Sequence, residues 1–288
     1  MSLPSENRVA SPASLIMPIK SWLEVKELDA ILQLTKQKTV EATDTVGTLH
    51  FGRWVDFHDH NQLGFFSAFD GSLRKYIQDF AKFEGPLFNS LFKHVVNAPP
   101  LPVEKNVDAF YDWIVANNVE VIGFYSAYPA LSVQDIRARA GVVRGAVNEG
   151  IQSPLTLILK AKSPAHLMAL SQLITQSLPR FYDAADTIGT LHFARFLPLG
   201  TTALGYVSEY DGTFEKHIQD LSTHLGPIFD EVFENVADPP PTPVQKNTRA
   251  FADWVSARNI KPWWFYSAYP TLSVQDIRRA AKAASAGR

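Results

Sequence analysis

Phe124-Tyr-Ser-Ala-Tyr-Pro-Ala-Leu-Ser-Val-Gln-Asp-Ile-Arg137 returns 141 positions later as Phe265-Tyr-Ser-Ala-Tyr-Pro-Thr-Leu-Ser-Val-Gln-Asp-Ile-Arg278, with 13 of 14 residues identical. A duplication sets the architecture before any single motif is read. Working outward, Gly47-Thr-Leu-His-Phe51 recurs as Gly189-Thr-Leu-His-Phe193, here 142 positions on, and Asp70-Gly71 recurs as Asp211-Gly212 at 141. The one-residue slip falls between Arg53 and Gly64, which reads as a hairpin loop where a change of length costs little. The 288 residues thus divide into an N-terminal tail (1–10) and two copies, 11–148 and 149–288.

Each copy reads as the same series of elements. A short apolar run opens it (Leu15 to Ile19; Leu155 to Ala161), and in the second copy Leu155, Leu157 and Leu159 alternate with Thr156, Ile158 and Lys160, a strand period. A helix follows, Trp22 to Ala42 or Pro164 to Ala184, with Ser163-Pro164 suited to a capped first turn. Two β-rich runs joined by a short connection form a hairpin: Thr48 to Phe57 with Leu63 to Phe69, and Thr190 to Leu199 with Ala203 to Tyr210. Asp70-Gly-Ser72 and Asp211-Gly-Thr213 end the second strand and cap a helix. A proline-rich connector, a short helix (Phe110 to Val115; Phe251 to Val255) and a last strand (Val121 to Tyr128; Trp263 to Tyr269) follow. Ser132-Val-Gln-Asp135 and Ser273-Val-Gln-Asp276 have capping-box form and open a terminal helix. The order β-α-β-β-α-(α)-β-α, twice, predicts an α+β fold of two tandem ferredoxin-like repeats. Each repeat is expected to build its own four-stranded antiparallel sheet, and the two sheets to cover each other as a pseudo-dimeric α/β-barrel.

The composition narrows the chemistry. Hydrophobic residues make up 46% and charged residues 19%, with a mean hydropathy of -0.07, so the chain has enough apolar surface for a core. Lys+Arg 27 against Asp+Glu 29 leaves a net charge of -2, too near neutral for a nucleic-acid or anionic-membrane footprint. With no cysteine, disulfides, thiolate ligation and cysteine nucleophiles are excluded. No apolar run approaches the ~18 residues that span a bilayer, and Met1 to Ala13 lacks a signal-peptide pattern, so a cytoplasmic protein is expected. The expected partner is a small hydrophobic or aromatic molecule, with neither nucleic acid nor membrane, and with homo-oligomerisation open.

The plan resembles the dimeric α/β-barrel superfamily in a fused, single-chain form, over about residues 11–284. At motif level, Gly189-Thr-Leu-His-Phe-Ala-Arg195 and Tyr210-Asp-Gly-Thr213 are similar to an uncharacterised bacterial group loosely described as peroxidase-like. The superfamily includes haem proteins (the dye-decolorising peroxidases and chlorite dismutase-like enzymes), cofactor-free monooxygenases and small-molecule-binding proteins. The resemblance therefore implies a peroxidase- or monooxygenase-like oxidoreductase, haem-dependent in one version, with a non-catalytic lipophilic-ligand binder or assembly protein as the alternative. The dye-decolorising peroxidases carry G-x-x-D-G, whereas this chain has Ser208-Glu-Tyr-Asp-Gly212 and Ser67-Ala-Phe-Asp-Gly71.

Candidate residues follow from the repeat. His50 and His192 sit mid-strand with Arg53 and Arg195 three residues on; strand alternation puts each His and its Arg on opposite sheet faces, so one of each pair faces the space between the sheets. There a His is an acid/base or ligand and Arg195 a cation for a developing oxyanion. Either His can equally be a satisfied core residue. His217 and His224, where the first copy has Tyr76 and Phe83, are the candidate haem ligands, since in haem members of the superfamily the proximal His comes from the C-terminal half; surface histidines are the plainer reading. Tyr206, Tyr266, Tyr269 and Trp264 are expected to line an aromatic pocket between the sheets, or else a solid core. Asp56-Phe-His-Asp-His60 is dense in metal-ligand types, but a polar hairpin tip accounts for it and no metal site is assigned. No nucleophile elbow, phosphate loop, dinucleotide fingerprint or zincin motif occurs.

Overall fold

The computed structural model describes residues 9–57 and 61–286. Its elements are β1 (Ala10–Pro18), α1 (Val25–Val46), β2 (Leu49–Phe57), β3 (Gln62–Asp70), α2 (Leu73–Phe92), α3 (Val107–Asn117), β4 (Gly123–Ser126), α4 (Val133–Ala140), β5 (Ala146–Val147), β6 (Gln152–Lys160), α5 (Pro164–Ile188), β7 (Leu191–Leu199), β8 (Ala203–Asp211), α6 (Phe214–Phe233), α7 (Thr248–Arg258), β9 (Trp264–Ser267) and α8 (Val274–Ala286). The caps read from the sequence are present. Ser163 Oγ accepts from the His166 amide with Pro164 in the first turn, and Ser72 and Thr213 cap α2 and α6 in the same way. Ser132 and Asp135 form a reciprocal box at α4. Gly47 and Gly189 end α1 and α5 in the left-handed conformation (φ 66° and 68°), where a side chain is strained.

Two antiparallel sheets form, in the orders β1-β3-β2-β9-β5 and β4-β7-β8-β6. The expectation that each copy completes its own sheet is overturned: β9 of the second copy pairs with β2 of the first, and β4 of the first pairs with β7 of the second. The proline-rich connector and short helix ahead of the last strand give it the reach to cross. Each sheet thus takes one strand from the other copy, β9 inside the first sheet and β4 at the edge of the second, and the two copies are interlocked. Helices cover the outer faces, as where Phe88 of α2 meets Trp54 and Phe181 of α5 meets Phe196. The inner faces meet through Phe51 against Phe193 and through a cluster of Val55, Phe57, Phe66, Leu197 and Val207. No helix among the described residues is long and apolar enough to cross a membrane.

Candidate functional site

The repeated Gly-Thr-Leu-His-Phe block does not form a regular strand. In β2 the register against β3 shifts between Leu49 and Phe51, and in β7 it shifts identically between Leu191 and Phe193. The extra residue is His50 in one copy and His192 in the other, each a β-bulge, and a bulge resets the alternation of faces. His and Arg therefore both face the other sheet, correcting the expectation of opposite faces: His50 packs on Phe193, and Arg53 donates to Leu155 O and Ser208 O across the interface.

At the centre lies an unbroken chain of side chains. Asp70 Oδ1 is 2.7 Å from His50 Nε2, His50 Nδ1 is 2.9 Å from the Tyr269 hydroxyl, and the Tyr269 and Tyr128 hydroxyls are 2.7 Å apart. The Tyr128 hydroxyl is 2.8 Å from His192 Nδ1, and His192 Nε2 is 2.7 Å from Asp211 Oδ1. The two aspartates are 10% exposed and the two histidines 0%. Burial is the main cause that pushes both phenols well above their usual range. Both aspartates also accept at Oδ2 from the backbone, from Val133 N at 2.7 Å and Val274 N at 2.8 Å. The backbone holds the tyrosines in place: Ala268 N donates to His50 O and Ala127 N to His192 O, both at 2.9 Å. The blocks shared by both copies thus meet in trans, His of one with Tyr of the other.

The arginines are a second buried pair. Arg53 Nη1 donates to Leu155 O and Thr156 Oγ1, both at 3.0 Å, and Nη2 donates to Ser208 O at 2.8 Å and to Glu209. Arg195 Nη1 donates to Ala13 O at 2.9 Å and Ser67 O at 2.8 Å, while its Nε and Nη2 have no partner among the described residues. Arg53 Nε is unpaired too, so the two arginines differ at Nη2, where Arg53 meets Glu209, a residue that stands where the first copy has Ala68. Burial pulls the Arg195 guanidinium down to about 10, and the Glu209 charge opposes that fall. Arg195 fastens one sheet to the other and is fully buried, so it is not set out toward solvent as an oxyanion cation.

The aromatic residues expected between the sheets divide. Tyr269 is there, in the central chain. Tyr206 faces outward against Phe181 of α5, beside an apolar space of about 20 Å³, which is water-sized. Trp264 and Tyr266 stack on each other, and Tyr266 donates to Asp44 of α1 at 2.8 Å. Strand alternation along β8 and β9 explains the split, and the space between the sheets is packed with side chains.

His217 is buried, flat on Tyr210 with ring centres 3.8 Å apart, and neither ring nitrogen has a partner among the described residues. Burial pushes it down to about 3. His224 is exposed on the same helix. A haem ligand must stand at the rim of a space wide enough for a macrocycle; His217 is shut between sheet and helix, flat on Tyr210, and His224 faces solvent. The residues present do not fit a haem. His58 and His60 lie outside the described residues. Among the described residues, Glu24, Glu27 and His94 come close enough to share a metal ion, near the surface, with His94 Nδ1 already in contact with Glu24 and 3.6 Å from Glu27.

An open cleft of about 530 Å³ lies at the edge of the C-terminal half, lined by Gln152, Tyr210, Phe214, Asn259, Lys261 and Phe265 among others. Gln152 stands opposite Asp211 in the β6–β8 ladder, so the cleft wall adjoins one end of the central chain. The residues of the first copy that correspond to Gln152, Tyr210, Phe214 and Lys261 are Ala10, Phe69, Leu73 and Glu120, so the polar and cationic lining at Gln152 and Lys261 is not repeated there. Sequence reading missed the roles of Asp70 and Asp211, which look like turn residues, and of Tyr128; their recurrence at 141 positions was the available signal.

No family model matches the chain, and no curated protein matches it. Among solved structures, it is similar to a proposed monooxygenase of Lactobacillus acidophilus, with TM-score 0.34 and 8% identity over 79% of this chain and 90% of that one. A second proposed monooxygenase, from Fusobacterium nucleatum, gives 0.37 and 7% over 80% and 88%. At these values the likeness carries neither family nor activity over to this chain.

Proposed function

We propose that the protein is an oxidoreductase-like enzyme acting on a small aromatic or lipophilic molecule held in the C-terminal cleft, with the central chain managing the accompanying proton. The observation that carries this reading is the chain Asp211–His192–Tyr128–Tyr269–His50–Asp70, whose Asp211 end adjoins the cleft wall at Gln152. A phenol hydrogen-bonded to an imidazole can give up its proton as it gives up an electron, and an aspartate on the far ring nitrogen orients the imidazole for that transfer. Phe265, Phe214 and Tyr210 supply aromatic walls and Lys261 a cation to orient a substrate. The test is turnover of phenols and hydroquinones with dioxygen or peroxide, followed by absorbance. His192→Gln and Tyr128→Phe are expected to lower kcat by roughly 100-fold, the scale of a lost acid–base group, with substrate affinity kept.

The second reading is a non-catalytic lipophilic-ligand binder or assembly protein. It is favoured by the closed packing between the sheets, since every member of the central chain already has its partners within the protein. Ligand binding in the cleft without turnover under either oxidant, and His192→Gln lowering the melting temperature alone, would establish it.

A further inference from the structure

The central chain has five hydrogen-bonded contacts: Asp70–His50, His50–Tyr269, Tyr269–Tyr128, Tyr128–His192 and His192–Asp211. Each contact needs one proton between its two atoms. With two carboxylates, two neutral imidazoles and two phenols, the side chains bring four: one on each ring and one on each hydroxyl. Each His uses its proton toward its aspartate and each phenol toward its His, leaving two hydroxyl oxygens facing each other at 2.7 Å with only lone pairs between them. A buried contact of that kind is repulsive.

Charge counting gives the same deficit. Apart from the mutually cancelling pairs Arg137–Asp44 and Arg278–Asp186, whose arginines donate to the carbonyls of Ala268 and Ala127, the charged groups packed about the chain are Arg53 on β2, Arg195 on β7, Glu209 on β8 and the two chain-ending aspartates on β3 and β8. Two positive and three negative charges leave one negative charge uncompensated. Glu209 acts on both tyrosines and both arginines, and the remaining titratable neighbour of Tyr269 is Tyr266. One more proton fills the fifth contact and neutralises the group.

We infer that the chain holds five protons as a unit, the fifth shared between His50 and His192 across the two copies. In this unit each aspartate is the acceptor of its ring N–H at Oδ1, as it is of a backbone N–H at Oδ2. With the fifth proton on His50, its Nδ1–H donates to the Tyr269 oxygen, the Tyr269 O–H to Tyr128, and the Tyr128 O–H to His192 Nδ1. Moving each of these three protons along its own bond turns His50 neutral and His192 cationic, with no bond left unfilled and no proton gained or lost. The positive charge then crosses from one copy to the other, and the excess proton belongs to the coupled chain rather than to one residue. The unit is a proton store and relay, with ends at the two slightly exposed aspartates. The inference rests on the chain's geometry and the charges around it, and stands or falls apart from the oxidoreductase reading.

The experiment is nitrogen-15 NMR of the intact protein labelled at histidine, in buffer near neutral pH, with His50 and His192 assigned by single substitutions. The expected result is three protonated nitrogens out of four, summed over the two rings, with both Nδ1 signals intermediate if the proton exchanges quickly. Two or four protonated nitrogens would overturn it. Tyr128→Phe splits the chain into segments of three contacts with three protons available, so the count is expected to fall to two; a count of three in that variant also overturns it. Tyr269→Phe is the mirror variant and serves if the first does not fold.

Discussion

His217 shows what one substitution between the copies costs. Its counterpart Tyr76 lies stacked on Phe69 and donates to Ser67 Oγ at 3.0 Å, whereas the shorter imidazole leaves its own nitrogens and Ser208 Oγ unpaired. Unpaired buried polar atoms cost about 1–3 kcal/mol each. Burial holds the folded His217 down at about 3, below the ordinary value of ~6.5. Between those limits the unfolded chain binds the extra proton, so this contribution to stability is present above pH ~6.5 and is lost as pH falls toward 3. His217→Tyr is expected to restore the Tyr76 arrangement, raise stability by about 1–2 kcal/mol at neutral pH and remove this acid-side loss. Urea melts between pH 4 and 7 would show both effects. A variant no more stable than the parent would mean that His217 is not the unpaired neutral group described.

Between helices α1 and α2 the pH sign reverses. Glu84 is buried, with Thr43 Oγ1 donating to its Oε1, and burial pushes its carboxyl up to about 8. The folded state therefore holds a proton that the unfolded state releases above pH ~4.5, and stability is lost as pH rises from there to about 8. The second copy has Leu225 and Ala185 at these places, a purely apolar helix contact. Glu84→Gln keeps the acceptor for Thr43 and is expected to raise the melting temperature at pH 8 while leaving it unchanged at pH 4. Equal loss at both values would argue against it. Helices and hairpins were legible because their signals are local: Ser163-Pro164, the capping boxes and the Asp-Gly turns each fix their own element. The bulges at His50 and His192 were not, since Gly-Thr-Leu-His-Phe has an unbroken strand-like composition and the shift appears only in the partner's register. For the same reason His and Arg were placed on opposite faces.

Over the whole molecule the exchange of β4 and β9 matters most. Each sheet draws a strand from the other copy, and each His its phenol, so neither half has a complete sheet or a filled central contact by itself. Residues 1–148 and 149–288 made separately are expected to stay unfolded or aggregate, and to form a one-to-one complex with native circular dichroism when co-expressed. A half that folds alone with a cooperative melt would contradict this. The exchange was hidden from sequence reading because nothing in the composition of Phe124 to Ser126 distinguishes pairing with β2 from pairing with β7. The identity of the two copies there, however, follows from it: a segment that must fit the other copy's bulge is constrained by both.

Glu209 and Ala68 give this interlocked arrangement a last consequence. A true homodimer must repeat every residue about its twofold axis, so a carboxylate beside that axis occurs twice or not at all. Two would add a second buried anion next to Arg53 and Arg195, and none would leave both guanidiniums without a counter-ion. A single polypeptide is free of that parity, and here it places one carboxylate whose charge reaches both arginines. Joining the copies end to end therefore gives the core access to odd numbers of charge that identical subunits cannot hold.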